Sequence, residues 1–190
     1  MNIHQLSVTY LAEQDRVLMR VNTTASEEMR LWMTRRLMLG LWPLLSRLLT
    51  EHLLKLEAAG SSLYTADEEL RKMLAEFRKE EFLQHADFDT PYHDKSSLPL
   101  GEDPLLVTDV DASPLPSGRL RLSFNERLPG GAAPRSFQME MAPKLMQGLM
   151  HLLEQALSQS QWRESFAAPV ALEDSGAGDE DRPQRPRYLN

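Results

Sequence analysis

Residues 29–49 read MRLWMTRRLMLGLWPLLSRLL, and residues 137–157 read FQMEMAPKLMQGLMHLLEQAL. The two stretches align without a gap at an offset of 108, and 8 of the 21 aligned positions are identical. The identical pairs are Met33/Met141, Leu37/Leu145, Met38/Met146, Gly40/Gly148, Leu41/Leu149, Leu44/Leu152, Leu45/Leu153 and Leu49/Leu157. Leucine-rich helices inflate such matches, so the flanking sequence has to support the alignment as well.

Apolar and polar residues alternate ahead of both stretches. The alternating apolar residues are Val17, Met19 and Val21 in the first copy and Leu120, Leu122 and Phe124 in the second. The offset between these strands is 103, because the following loop is five residues longer in the second copy. Since insertions accumulate in loops, the shift supports an internal duplication.

The repeated pattern predicts an α+β fold. Alternation with period two indicates strands, and the change to helical spacing after Thr34 and at Pro143 indicates a helix at the end of each unit. We therefore place one strand-strand-strand-helix repeat at 4–57 and a second at 104–159. The strands are expected to form two antiparallel three-stranded sheets, either separate or joined edge to edge, with both repeat helices packed on one face and the connector helix alongside.

Local signals refine these elements. Thr34 is expected to cap the first helix, and Pro143 to occupy the first turn of the second. Pro43 lies inside the first helix. Gly40 and Gly148 hold the same place in the two helices, and we expect them to mark a close helix crossing, because glycine is costly in a helix without a packing reason. A strand is expected near Leu105 to Val110.

A connector at 61–104 separates the repeats. Thr65 and Glu68 form a capping box that predicts a connector helix to about Leu83. Its apolar stripe, which should dock by one face, comprises Leu70, Met73, Leu74 and Phe77. The rest of the connector reads as loop. Residues 1–162 are expected to form one pseudo-symmetric domain, and the acidic, proline-containing segment 163–190 to be a disordered tail.

Composition narrows the class of protein. The 190 residues carry a net charge of -7 and no cysteine, so disulfides, thiolate metal sites and a cysteine nucleophile are excluded. The apolar stretch Leu37 to Leu49 is interrupted by Pro43 and Arg47 and is too short to span a bilayer. With no signal-peptide pattern at its N-terminus, the chain is expected to be cytoplasmic and to have no membrane partner.

Arg35 and Arg36 stand at the start of the first repeat helix, and Lys144 occupies the corresponding place in the second. Cations are unfavourable at a helix N-terminus, so their position invites an explanation. Together with the unpaired backbone donors they would suit a phosphate or carboxylate. The alternative is that surface carboxylates such as Glu28 and Glu140 neutralise them, and this alternative is favoured.

The connector contains a second group of candidate residues. This group consists of two histidines and three aspartates, namely His85, Asp87, Asp89, His93 and Asp94. These ligand types suit zinc, manganese or iron. The spacing matches no known metal motif, and Asp89 before Pro91 also fits a turn. The turn interpretation is favoured.

No phosphate-binding loop, dinucleotide fingerprint, zinc-protease motif or nucleophile elbow occurs in the sequence. An enzyme is therefore not supported, and no cofactor is predicted. The leading hypothesis is a non-catalytic binding or accessory protein that engages a protein partner through a pseudo-symmetric surface. The alternative is nucleic-acid or other polyanion binding through the basic helix N-termini, and a metal-dependent enzyme is third. The chain is expected to be a monomer with an internal pseudo-dimer or a homodimer.

Overall fold

A computed structural model describes residues 2–58, 86–88, 90–128, 130 and 133–162, with the single positions 69, 73, 77, 80, 81 and 84. The first unit comprises β1 (Ile3–Leu11), β2 (Arg16–Thr23), β3 (Glu28–Thr34) and α1 (Arg35–Ala58). The second comprises β4 (Leu105–Leu106), β5 (Asp109–Pro114), β6 (Leu120–Glu126), β7 (Arg135–Met141) and α2 (Pro143–Ser160). The predicted α+β class is confirmed. The predicted tail, 163–190, lies outside the described residues.

The strands form two sheets. The first has the order β1-β2-β3-β4, and the prediction of three antiparallel strands is wrong for it, because β4 is added parallel to β3. The second is the antiparallel three-stranded sheet β5-β6-β7. The prediction of one strand near 105–110 is wrong, because this stretch divides between the sheets. Val107 N–H donates to Trp32 O at 2.9 Å, whereas Thr108 N–H donates to Asn125 O at 2.8 Å. Successive peptide groups of an extended chain point in opposite directions, so these two residues link the sheets.

The two units share strand order and register. Val17 pairs with Met33 and Val21 with Met29. At the offsets of 103 and 108, Leu120 pairs with Met141 and Phe124 with Phe137. The same side chains point inward in both, because the alternating residues of β2 and β3 and those of β6 and β7 are all buried. A slip of one residue in either sheet would have reversed these faces.

Each helix contacts a strand of the other unit. α2 packs mainly on β1 of the first sheet, and α1 contacts β5 of the second as well as β3. Both helices and the inner faces of both sheets contribute to one apolar core. Methionines from both units fill that core, among them Met38 and Met146 at the same place in the two helices.

The helix start signals are confirmed. Thr34 Oγ1 accepts a hydrogen bond from Leu37 N–H at 3.3 Å, and Pro143 begins α2. The close crossing expected at Gly40 is wrong. Gly40 is exposed, and no atom lies within 4 Å of the place a Cβ would occupy. Its counterpart Gly148 is buried.

The connector helix lies largely outside the described residues. The described positions 69, 73, 77, 80, 81 and 84 are all helical and exposed. Met73 is 68% exposed and Phe77 61%. The prediction that these two side chains dock against the domain is therefore wrong.

Candidate functional site

The ends of the two helices make reciprocal contacts with the opposite unit. Near the end of α1, the buried His52 places Nε2 2.8 Å from Gly118 O in the turn between β5 and β6. Because a carbonyl oxygen only accepts, Nε2 is the protonated nitrogen. Just beyond α2, Trp162 Nε1 donates to Asp15 in the turn between β1 and β2, at 2.5 Å. At the offset of 103, Asp15 corresponds to Gly118. His52 is thus a structural residue, which its isolated position in the sequence did not indicate.

Asp15 is the centre of the second junction. Its Oδ1 also accepts a hydrogen bond from Tyr10 Oη at 2.9 Å, and the Tyr10 and Trp162 rings pack edge to face with centroids 5.4 Å apart. The hydrogen bonds from Trp162 and then Tyr10 lower the pKa of the Asp15 carboxyl. The same bond to Asp15 raises the pKa of the Tyr10 phenol. The cluster therefore stabilises the carboxylate at neutral pH and joins α2 to the first sheet.

The three predicted anion-binding residues have different environments. Arg35 is half-buried and donates from Nη2 to Trp162 O at 3.2 Å. Arg36 and Lys144 are exposed. The carboxylates expected to neutralise them have other partners, since Glu28 pairs with Arg30 at 2.6 Å and Glu140 with Arg121 at 2.8 Å. Anion binding by these three residues stays a prediction. Arg35 has in addition a structural contact, its hydrogen bond to Trp162 O.

Three of the five predicted metal ligands are described, and they point to different partners. Asp87 accepts hydrogen bonds from Thr90 N–H at 3.0 Å and Thr90 Oγ1 at 2.6 Å, which forms a local turn. Asp94 pairs with Arg20 at 2.6 Å. His93 contacts the sheet through its backbone, because its N–H donates to Gln5 and its carbonyl accepts from Asn22. Among the described residues no three candidate ligands come together. His85 and Asp89 lie outside them, so the metal site stays a prediction.

Residues 91–97 cover the outer face of the first sheet, which sequence reasoning missed. The buried Glu28 accepts a hydrogen bond from Lys95 N–H at 2.9 Å as well as from Arg30. Burial opposes ionisation of Glu28, but these two donors outweigh it and lower the pKa of its carboxyl. Arg20 stacks over the Tyr92 ring at 4.3 Å. Burial, followed by the charge of Glu28, raises the pKa of the Tyr92 phenol, which stays neutral. These contacts hold residues 91–97 of the connector on the sheet, whereas the buried Tyr92 hydroxyl has no hydrogen-bond partner among the described residues.

A surface pocket of about 290 Å³ lies beside the second sheet. Its lining residues are Asn2, Arg119, Gln138, Met139 and Glu140. Glu140 faces it from β7, but this carboxylate is exposed and paired with Arg121.

The outer faces of the two helices differ in exposure. We call the outward residues of α1 the open face; they are Arg36, Leu39, Gly40, Pro43, Leu44 and Arg47, and all six are exposed. Their counterparts in α2 are Lys144, Gln147, Gly148, His151, Leu152 and Gln155, of which only the first and last are exposed. The connector covers this second face in part, because the Phe88 ring packs on His151 with centroids 4.9 Å apart.

Leu44 is the more exposed of the two leucines of the open face, at 67%, and Leu39 is 37% exposed. Arg36 and Arg47 flank this apolar centre by one helical turn or less. Arg47 forms an ion pair with Glu51 at 2.8 Å, four residues further on. The open face is therefore a narrow apolar strip with a basic residue at each end.

No known protein family, curated protein or solved structure matches this chain. None of the described helices has the length and apolar content needed to cross a bilayer.

Proposed function

We propose that this protein is a non-catalytic binding protein that engages a protein partner through the open face of α1. One contrast carries the proposal. Leu44 and Leu152 hold the same place in the two helices, yet Leu44 is 67% exposed while Leu152 is half-buried. Among the described residues, the connector covers the face of α2 in part through Phe88, whereas the corresponding face of α1 is exposed.

The composition of the open face suits a protein partner. Interfaces combine an apolar centre with a polar rim, and arginine is enriched in them. Leu39 and Leu44 supply the centre, and Arg36 and Arg47 supply the rim. The absence of a side chain at Gly40, with nothing within 4 Å, lets a partner side chain approach the helix backbone.

We also infer that the two units arose by duplication. The equal strand order and register support this origin, as do the shared buried positions of both helices. On this view the ancestral helix face was an interface. After duplication the connector came to cover one face, and the other kept its binding role.

A photoactivatable amino acid at position 44 tests the proposal in the native host. The expected result is one discrete adduct between this chain and a protein, which disappears when Leu39 is changed to glutamate. The matched control carries the same amino acid at Gln155, which is exposed at the position of α2 that corresponds to Arg47. Equal adduct patterns at positions 44 and 155 would show that the open face has no specific partner.

A further inference from the structure

Two exposed helical surfaces of this chain have matching patterns. The open face of α1 has apolar residues between Arg36 and Arg47. The exposed positions of the connector have the opposite charge, with Met73 and Phe77 lying between Glu69 and Glu80. Both pairs of charges are separated by eleven residues in the sequence, and in α1 this spacing is about 16 Å along the helix axis. The two surfaces are therefore complementary in charge, apolar content and length.

We infer that the open face of α1 binds the connector of a second copy of this chain, in a reciprocal dimer. This inference rests on the proposed function and names its partner. Leu39 and Leu44 of one copy would pack against Met73 and Phe77 of the other. Because the second copy makes the same contact in return, every contact occurs twice, as twofold symmetry requires.

The exposure of these side chains supports an intermolecular contact. Phe77 and Met73 are 61% and 68% exposed, and a pair of large apolar residues four positions apart on a helix presents one continuous surface. Stable interfaces bury about 1,200 to 2,000 Å² in total. A single pair of short helical faces is small for this, and the doubled contact of a reciprocal dimer brings the area closer to that range.

The acidic and basic ends determine which surfaces pair. Two open faces would bring arginines together, and two connector surfaces would bring glutamates together. Like charges in contact weaken association, whereas opposite charges favour it and fix the register. The existing Arg47–Glu51 pair presents little obstacle, because an exposed ion pair of this spacing contributes little to stability.

A charge-reversal experiment on the full chain tests the inference by sedimentation equilibrium across a wide concentration range. One variant carries Arg36→Glu with Arg47→Glu, and another carries Glu69→Lys with Glu80→Lys. Each variant alone is expected to weaken the dimer by at least about tenfold, because both of its contacts become repulsive. An equimolar mixture restores both contacts, so dimer strength should return to within about threefold of the wild type.

The matched control changes Lys144→Glu and Gln155→Glu at the corresponding positions of α2, and it should dimerise like the wild type. Thermal melts of each variant confirm that it is folded. A wild-type chain that stays monomeric, or a mixture that does not regain the dimer, would overturn the inference. The photo-crosslinking experiment separates this failure from that of the proposed function. An adduct of twice the chain mass supports the dimer, and a specific adduct with another protein overturns the dimer but retains the binding face.

Discussion

Arg35 and Arg36, which are adjacent at the start of α1, have different environments. Arg35 is half-buried and donates to Trp162 O, so it ties the start of one helix to the end of the other. Arg36 is exposed and belongs to the open face. Sequence alone could not separate them, because helix phase decides which of two adjacent side chains turns inward.

Arg35→Gln should therefore lower the free energy of unfolding by about 1 kcal/mol, since a hydrogen bond from a charged donor is lost. Arg36→Gln should change it by less than about 0.5 kcal/mol, as is usual for exposed sites. Urea unfolding of both variants measures the difference. The same proteins test polyanion binding, which would weaken in both variants and show a reduced salt slope. Equal stability of the two variants would contradict the structural role of Arg35.

Leucines of different burial in the two helices provide a second comparison. Leu41 is 8% exposed and its counterpart Leu149 is 1% exposed, whereas Leu44 is 67% exposed. Leu41→Ala and Leu149→Ala should each cost roughly 2 to 5 kcal/mol, because they leave cavities in the core. Leu44→Ala should cost far less. Denaturant midpoints that rank Leu44→Ala with the other two would mean that the open face is buried in the isolated protein.

At the scale of elements, the two-residue strand β4 depends on a buried carboxylate. Glu126 accepts hydrogen bonds from Leu106 N–H at 2.9 Å and from Arg135 Nη2 at 3.0 Å. Arg135 also donates to the carbonyls of Leu100 and Asp103. This network holds the incoming chain where it passes from the first sheet to the second.

The hydrogen bonds from Arg135 lower the pKa of the Glu126 carboxyl, and burial opposes them only in part. A carboxyl whose pKa is depressed by folding stabilises the protein above its ordinary pKa, here 4.5, and this stability is lost as pH falls towards the folded pKa. Glu126→Gln should cost about 2 kcal/mol at neutral pH. Between pH 5 and strongly acidic conditions, the Glu126→Gln variant should lose less free energy of unfolding than the wild type, as measured by urea unfolding. Parallel pH profiles would contradict the role of the Glu126 charge.

The elements with a long repeating pattern could be predicted, and the short or polar ones could not. Alternation identified β2, β3, β6 and β7, and the inward residues are those expected, because burial of one face imposes period two. β4 spans two residues and has no period to recognise. The contact of Asp94 with Arg20 joins residues 74 positions apart, and no local signal reports such a pairing. The three helix-start cations were recognised as unusual, but the open face was not, because its leucines resembled core residues.

At the scale of the molecule, each helix end holds the turn of the opposite unit. Trp162 is 3% exposed and contacts both Tyr10 and Asp15. The turn residues of the two junctions, Asp15 and Gly118, correspond at the offset of 103, and each unit contacts a turn of the other. The first unit therefore needs the end of α2 for its own stability.

Trp162→Ala should lower the free energy of unfolding by about 3 to 5 kcal/mol, the usual cost of removing a buried tryptophan. Gln159→Ala, an exposed change near the end of the same helix, is the control and should cost less than about 0.5 kcal/mol. Calorimetry measures both. If Trp162→Ala were as mild as the control, the junction would not join the units.

We predict that the open face of α1 is exposed in the isolated chain and covered by protein in the cell. Because the chain has no cysteine, a Leu44→Cys variant carries a single thiol whose labelling rate can be measured with a small, cell-permeable maleimide. Rates in each setting are normalised to the labelling rate of a free thiol. The Leu44→Cys protein should label rapidly when dilute and purified, and several-fold more slowly in the native host. The normalised rate of the Gln155→Cys control should be the same in both settings. An equal normalised rate at position 44 in both settings would show that no protein covers the open face in the cell.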